Sequence, residues 1–331
     1  MARRDHLTVL FHAAAGARRG YGHLMRCGVL ADALGADRHL SLRGASDSAA
    51  VARSLGWTVY ASAADALTRC EPDLIVIDDP SVATAGRLVR LARRTGIPVA
   101  SIHDLGRGQV DSDLSIDGSL ATLVRAGTDL RGPAYAVLHP SVSAWRRRGA
   151  VRGANRVLIT LGGGAHVRAM GAALADAIVA LAPDVTIDIA AGFARGRRPA
   201  LPSRCRWIDA PDGLARGLAC ATVALVGGGV TLYEAAALGT PAVAVPVVRA
   251  QRPTIRAFAS AGAAVGVLTP RAGATVGLAA WHVADLLTRP AAAARLGRSA
   301  RALIDGAGAG RVAARLRALV AGRTEVRDAV A

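Results

Sequence analysis

Gly227-Gly228-Gly229-Val230-Thr231-Leu232-Tyr233-Glu234-Ala235-Ala236-Ala237-Leu238-Gly239-Thr240-Pro241 lies between two short apolar runs, Val223 to Val226 and Ala242 to Val245. Each run reads as a buried strand, the glycine triplet as a tight loop, and the alanine-rich stretch as a helix. A loop of this kind brings backbone N–H groups and the positive end of a helix dipole to one point, which is the chemistry that cradles a phosphate. Thr231 and Glu234 also stand at capping-box spacing, so they could serve only to start the helix. A carboxylate one turn into the helix could equally accept hydrogen bonds from ribose hydroxyls.

The same order of elements recurs upstream. Val157-Leu158-Ile159, then Gly162-Gly163-Gly164, then a helix containing Leu174-Ala175-Asp176-Ala177-Ile178, echoes Val9-Leu10-Phe11, a glycine-bearing loop, and a helix containing Leu30-Ala31-Asp32-Ala33-Leu34. Each is laid out as the opening of a doubly wound half. The first half continues with a strand Leu74 to Ile77 ending in Asp78-Asp79-Pro80, a helix Ala85 to Thr95, and a strand Pro98 to Ile102 ending in His103-Asp104. Further strands are expected at Thr186 to Ala190 and Cys205 to Ile208, and helices dominate from Val276 to Val320. Acids at strand ends lie at the carboxyl edge, where parallel sheets bind ligands. The expected class is therefore α/β, with two Rossmann-like domains of parallel sheet, residues 1–150 and 151–331, and a boundary in the arginine-rich segment Arg146 to Gly153.

Composition agrees with that class. Of the 331 residues 52% are apolar but only 3% aromatic, so the core is built from Ala, Val, Leu and Ile, which suits helix-covered parallel sheets and disfavours a β-sandwich. The net charge of +17 would ordinarily raise nucleic acid or an anionic membrane as a partner. All 41 basic residues are arginine, however, and aromatic side chains to stack bases are scarce, so a nucleic-acid partner is not expected, whereas attraction to an acidic membrane surface stays open. Cys27, Cys70, Cys205 and Cys220 form no CxxC pair and read as reduced core thiols. The charged start Met1 to Asp5 does not read as a signal peptide, and the uncharged stretch Gly217 to Tyr233 is too short to cross a bilayer, so a cytoplasmic location is expected.

A second glycine-rich point, Gly20-Tyr21-Gly22-His23, follows the apolar run Leu7 to Phe11 and precedes a helix. It offers a flexible loop, a helix N-terminus and an imidazole that can act as base or acid near neutral pH. This loop lacks a third glycine at dinucleotide-fingerprint spacing, which argues against NAD. No histidine pair has HExxH spacing, so no metal site is expected. His103, His139 and His166 fall near predicted loop edges, while His6, His12, His39 and His282 carry no supporting pattern.

The run from the strand before Gly227 through Thr231, Glu234, Gly239-Thr240-Pro241, Pro246 and Gln251 resembles the nucleotide-binding half of GT-B glycosyltransferases of the MurG type. Within that superfamily, Gly20-Tyr21-Gly22-His23 with Arg26-Cys27 and Leu30-Ala31, and the later Gly132-Pro133-Ala134-Tyr135-Ala136-Val137-Leu138-His139-Pro140, resemble the PseG/SpsG branch of UDP-sugar hydrolases. The resemblance spans roughly residues 7 to 270 and implies a GT-B fold with its site in an interdomain cleft, the last helix crossing back to the first domain. It implies metal-independent hydrolysis of a UDP-linked deoxyamino sugar, needing no cofactor, with His23 activating water. UDP would lie on Gly228, Gly229, Thr231, Glu234 and Gln251, and Gly20, Tyr21, Gly22, Gly163 and Gly164 would form the phosphate and sugar loops.

Asp104 is the second catalytic candidate, as an orienter of His23 or an acceptor for a sugar hydroxyl. The chain departs from the branch at several sugar-facing positions. It has His103-Asp104-Leu105 where Asp-Asp-Leu is usual, Pro80 in place of a tyrosine, His139-Pro140-Ser141 in place of Arg-Pro-Glu, and Gly162-Gly163-Gly164-Ala165-His166 without the usual acid and proline. A glycosyltransferase using the same nucleotide site with a small or lipid-linked acceptor, and a non-catalytic nucleotide-sugar-binding protein, are the alternative readings. His23 alone does not separate them, because a neutral imidazole can take the proton of water or of an acceptor hydroxyl.

Overall fold

The computed structural model describes residues 7–16, 20–120, 128–149, 151–164, 167–193, 196–210, 212–269 and 272–330. They form two compact units, Met1–Val137 with Ala307–Ala331, and Leu138–Gly306.

The first unit is built on seven parallel strands: β1 Val9–Ala14, β2 His39–Arg43, β3 Thr58–Tyr60, β4 Leu74–Asp78, β5 Val99–Ile102, β6 Leu114–Asp117 and β7 Leu130–Arg131. Their spatial order is β3-β2-β1-β4-β5-β6-β7. Its helices are α1 Gly22–Leu34, α2 Ser46–Ser54, α3 Ala63–Cys70, α4 Val82–Thr95 and α12 Gly308–Val330. The strands β1, β4 and β5 are wholly buried, as parallel strands covered on both faces must be. On one face Phe11 and Val76 pack against Leu24, Leu30 and Leu34 of α1. On the other, Leu10, Ile75 and Ile77 meet Leu88, Val89 and Ala92 of α4. Helix α12 completes the first of these cores with Val312, Ala313 and Leu316.

The second unit has six parallel strands: β8 Arg156–Thr160, β9 Thr186–Ala190, β10 Cys205–Ile208, β11 Val223–Gly227, β12 Ala242–Val245 and β13 Val265–Gly266. Their order is β10-β9-β8-β11-β12-β13. They are accompanied by α5 Pro140–Arg148, α6 Val167–Leu181, α7 Ala215–Cys220, α8 Val230–Leu238, α9 Arg252–Ser260, α10 Ala272–Thr288 and α11 Pro290–Leu303. The strand order reverses between β1 and β4 in one sheet and between β8 and β11 in the other. At such a switch point adjacent loops leave in opposite directions and open a crevice at the carboxyl edge. Both glycine-bearing repeats expected from the sequence to open a doubly wound half thus lie at switch points, whereas β2, β3, β6, β7 and β13 were not foreseen.

Arginines do much of the work of closing these units. Arg317 Nη2 donates to the carbonyl of Ala33 in the last turn of α1 at 2.9 Å, and Arg311 Nη1 to Ala134 at 2.9 Å. In the second unit Arg146 donates to the carbonyls of Ala237 and Ile304, Arg152 to Gly239, and Arg301 to Arg146. Helix C-termini leave carbonyls without intrahelical partners, and guanidinium groups satisfy several at once while complementing the dipole. Part of the arginine surplus is therefore structural, and the run Arg146 to Arg148 belongs with the second unit. No helix among the described residues is long and apolar enough to cross a membrane.

Candidate active site

The tetrad read as one loop divides in two. Gly20 adopts a left-handed φ of 81° and pairs with Gly16 through two backbone hydrogen bonds. Tyr21 is the buried N-cap residue of α1, and Gly22 is its first helical residue, where a Cβ would meet open space. His23 is therefore the second residue of α1, with Arg26 three residues on along the same face.

Nδ1 of His23 lies 2.7 Å from Oδ1 of Asp78, the last residue of β4. A carboxylate accepts only, so Nδ1 carries the proton, and Nε2 is the acceptor of the neutral ring. Nε2 makes no hydrogen bond among the described residues. Arg26 grips both oxygens of Asp78, through Nε and Nη2 at 2.7 Å each, and both oxygens of Asp104, through Nη1 at 2.8 Å and Nη2 at 3.0 Å. The acid that orients His23 is thus Asp78, and Asp104 stands one step away, tied in through Arg26. The Asp78 side chain is 1% exposed and that of Asp104 49%, so only the latter offers its carboxylate to a ligand.

Electrostatics follow from this arrangement. Burial would lower the pKa of His23, but the charge of Asp78 and its hydrogen bond overcome both burial and the opposing Arg26, so it lies above the ordinary 6.5. Burial would raise Asp78, yet Arg26 and His23 hold it well below the usual carboxylate range. Asp104 is lowered for the same reason, burial being outweighed by Arg26. Cys27 is buried in this cluster, and burial pushes its thiol far up, which makes it inert as a nucleophile.

Asp104 sits at the head of a tightly shaped loop. Leu105 has a left-handed φ of 60°, unusual for a leucine. The turn is held by Leu105 N–H donating to Ser119 Oγ at 2.9 Å and Gly106 N–H to buried Asp117 at 2.6 Å. Sequence reading missed Arg26 and Asp78 as partners of His23. Both were named, but nothing in the spacing of residues 23, 26 and 78 announces that β4 lies beside β1.

In the second unit Gly162 to Gly164 follow β8, and the triplet Gly227 to Gly229 straddles the end of β11. The peptide of Gly163 accepts from Phe193 N–H at 3.2 Å, so its carbonyl is engaged by the neighbouring loop, and Gly164 is buried. Gly228 must be glycine because a Cβ there would lie 2.7 Å from Ile255 and 2.9 Å from Gln251. Gln251 Oε1 accepts from Gly228 N–H at 3.2 Å and Val247 N–H at 2.9 Å. Gln251 therefore holds the glycine loop in shape, a role its place in the motif did not reveal.

Helix α8 starts after Gly229 with no side-chain cap, so Thr231 and Glu234 are interior residues and do not form a capping box. No side chain among the described residues therefore occupies the N-terminal amides of α8 as a cap. Glu234 is partly buried, makes no hydrogen bond among the described residues, and is pushed up to about 7 by burial.

Two further histidines hold local structure. His103 is buried and bonded to Ser101 Oγ at 2.7 Å, and burial lowers its pKa. His139 caps α5, its Nδ1 accepting from Ser141 N–H at 3.3 Å. His166 and His6 lie outside the described residues. Among the described residues no group of three or more His, Cys, Asp or Glu is placed to hold a metal ion.

No family model and no curated protein sequence matches the chain. Solved structures do. Spinosyn forosaminyltransferase SpnP is similar at 18% identity with a TM-score of 0.63, covering 96% of this chain and all of SpnP. Spinosyn rhamnosyltransferase SpnG, complexed with thymidine diphosphate, gives 19% and 0.61 over 92% of this chain and 99% of its own. MurG of Acinetobacter baumannii gives 16% and 0.60 over 94% and 99%. The fold is thus that of the GT-B glycosyltransferases. At these identities the likeness carries fold alone, and nothing in it singles out the hydrolase branch.

Proposed function

We propose that this protein cleaves the anomeric C–O bond of a nucleoside-diphosphate sugar without a metal and transfers the sugar to an acceptor hydroxyl. The observation that carries the reading is the 2.7 Å contact of His23 Nδ1 with buried Asp78 at the switch point of the first sheet, which leaves Nε2 to take a proton. The acceptor oxygen loses its proton to Nε2 as it bonds to the anomeric carbon, and the diphosphate departs with the electrons of the broken C–O bond. Asp78 keeps the ring in the productive tautomer and stabilises the imidazolium that forms. In the second unit the uncapped N-terminus of α8, with Gly229 and Thr231, would offset the charge of the diphosphate, and Glu234 would accept from ribose hydroxyls.

Water as the acceptor is the second reading. It is favoured by Gly20-Tyr21-Gly22-His23 and the Gly132 to Pro140 segment, whose resemblance is to hydrolases. Incubation with UDP- and TDP-linked sugars, with and without alcohol acceptors, separates the two. Release of nucleoside diphosphate that needs an acceptor supports transfer, and release in water alone supports hydrolysis. If neither occurs while a nucleotide-sugar binds, the protein is a binder and the catalytic reading fails.

Glu234 gives the nucleotide half its own test. A carboxyl near pH 7 with no partner must ionise to accept from two ribose hydroxyls well, so binding releases a proton. Affinity for a nucleotide-sugar, whose diphosphate diester does not titrate in this range, is expected to strengthen several-fold from pH 6 to 8, and Glu234→Gln to flatten that slope. A pH-independent Kd in the wild type would remove Glu234 from the ribose.

A further inference from the structure

Asp78 and its neighbour Asp79 leave β4 toward opposite faces of the sheet, as successive residues of an extended strand do. On one face Asp78 holds His23 and Arg26. On the other Asp79 holds a second histidine and a second arginine. His12 Nε2 lies 3.1 Å from Asp79 Oδ2, Arg43 Nε donates to the same oxygen at 2.6 Å, and Arg43 Nη2 donates to Oδ1. Ser81 N–H adds a bond to Oδ1 at 2.8 Å, and Ser41 Oγ lies 3.1 Å from His12 Nδ1. The Asp79 side chain is fully buried and that of His12 is 6% exposed, so neither meets a substrate, and the 26% exposed Arg43 turns Nε and Nη2 inward onto Asp79.

Its members come from three neighbouring strands. His12 is on β1, Ser41 and Arg43 on β2, and Asp79 follows β4, so the cluster ties the three carboxyl ends together at the switch point. A buried ion cluster of this kind is a weak source of net stability, because desolvation offsets much of the attraction. What it supplies is a fixed direction. Asp79 also accepts from the N–H of Ser81, which caps α4, and Gly108 of the Asp104 loop lies against Pro80 with space for no more than a tight Cβ, 3.3 Å from its carbonyl. The peptide joining Asp78 to Asp79 is therefore held from both sides.

We propose that the His12–Asp79–Arg43 cluster is a positioning device for the reaction, fixing the end of β4 so that Asp78 meets His23 Nδ1 in line. The proposal rests on His23 acting as the base, and its members are positioning residues that touch no substrate. The groups that face His23 are Asp78 from β4, Arg26 from α1 and Asp104 from the loop after β5. Arg43 is not among them.

The test is Arg43→Gln, read by the NMR titration of the His23 imidazole in the substrate-free protein. Two effects have opposite signs. Removing a positive charge at long range would raise the His23 pKa, whereas loosening Asp78 weakens the interaction that raises it and so lowers the midpoint. The expected result is a midpoint lower by roughly half a unit, together with a kcat lower by roughly 10- to 100-fold at little change in donor KM, since a small misplacement of a base costs that much. Arg43→Lys, which keeps the charge and one donor, is expected to recover part of both. An unchanged or raised midpoint overturns the proposal, even if the melting temperature falls. Should Arg43→Gln fail to fold, Ser41→Ala, which frees the far nitrogen of His12, is read in the same way. Because the titration needs no turnover, a protein that fails to process any nucleotide-sugar still answers this question, and loss of activity in His23→Ala with no shift in Arg43→Gln would retain the base and discard only the positioning cluster.

Discussion

His23→Ala is expected to lower kcat by roughly 10²- to 10⁴-fold while the protein keeps its melting temperature and its affinity for the nucleotide, the range that removal of a positioned general base produces. The expectation follows from placement. The imidazole is partly exposed, 20% of its side chain, so its loss leaves no unpaired buried charge of its own, and Arg26 stays paired with both Asp78 and Asp104. The residues proposed to hold the nucleotide belong to the other unit and are untouched. Kinetics at saturating donor, with Kd measured separately by titration, check both halves of the claim. A variant with wild-type kcat would move the chemistry elsewhere.

Asp78→Ala has the largest expected cost to stability. The Arg26 side chain is 11% exposed and divides its hydrogen bonds between two carboxylates. Taking away the buried one leaves a guanidinium half-paired and His23 without a partner, at a cost of about 3 kcal/mol for a buried ion pair broken on one side. For a unit of this size that lowers its melting temperature by roughly 6–12 °C. The pH dependence carries a matching signature. Asp78 and Asp79 are both held below the ordinary carboxylate range. The stability they provide is therefore full above about pH 5 and is lost as the pH falls through and below the unfolded value near 3.9. Asp78→Ala should flatten that acid limb, and an acid limb as steep as that of the wild type would show that Asp78 is not paired as described.

Most strands that carry the two cores announced themselves as apolar runs, and β9 and β10 were found although Asp188 and Arg206 interrupt them. Thr186–Ala190, Cys205–Ile208 and Ala242–Val245 coincide with their expected bounds. Strands β2 and β6 did not, since His39, Ser41 and Arg43, and then Ser115 and Asp117, interrupt their apolar pattern to build polar clusters. His12 was passed over for the converse reason. It lies inside an apolar run, and only pairing of β1 with β2 and β4 brings Asp79 to it. His23 was legible because a glycine-rich turn before a helix marks it, while the identity of its partner depends on strand order, which no local pattern encodes. Gln251 illustrates the opposite limit. Its motif position pointed at the nucleotide, but its side-chain oxygen is occupied by Gly228 and Val247.

The most direct measurement is the pH profile of kcat/KM for a nucleotide-sugar in the wild type and in Asp78→Asn. With His23 as the base, the rate rises with pH through the ionisation of Glu234 near 7, which both proteins share, and through that of His23, whose midpoint lies above 6.5, set by the charge and hydrogen bond of Asp78. In Asp78→Asn that midpoint moves down toward or below 6.5 and the plateau drops, because the ring loses both its charge partner and its fixed tautomer. A profile that is the same in both proteins would contradict the account.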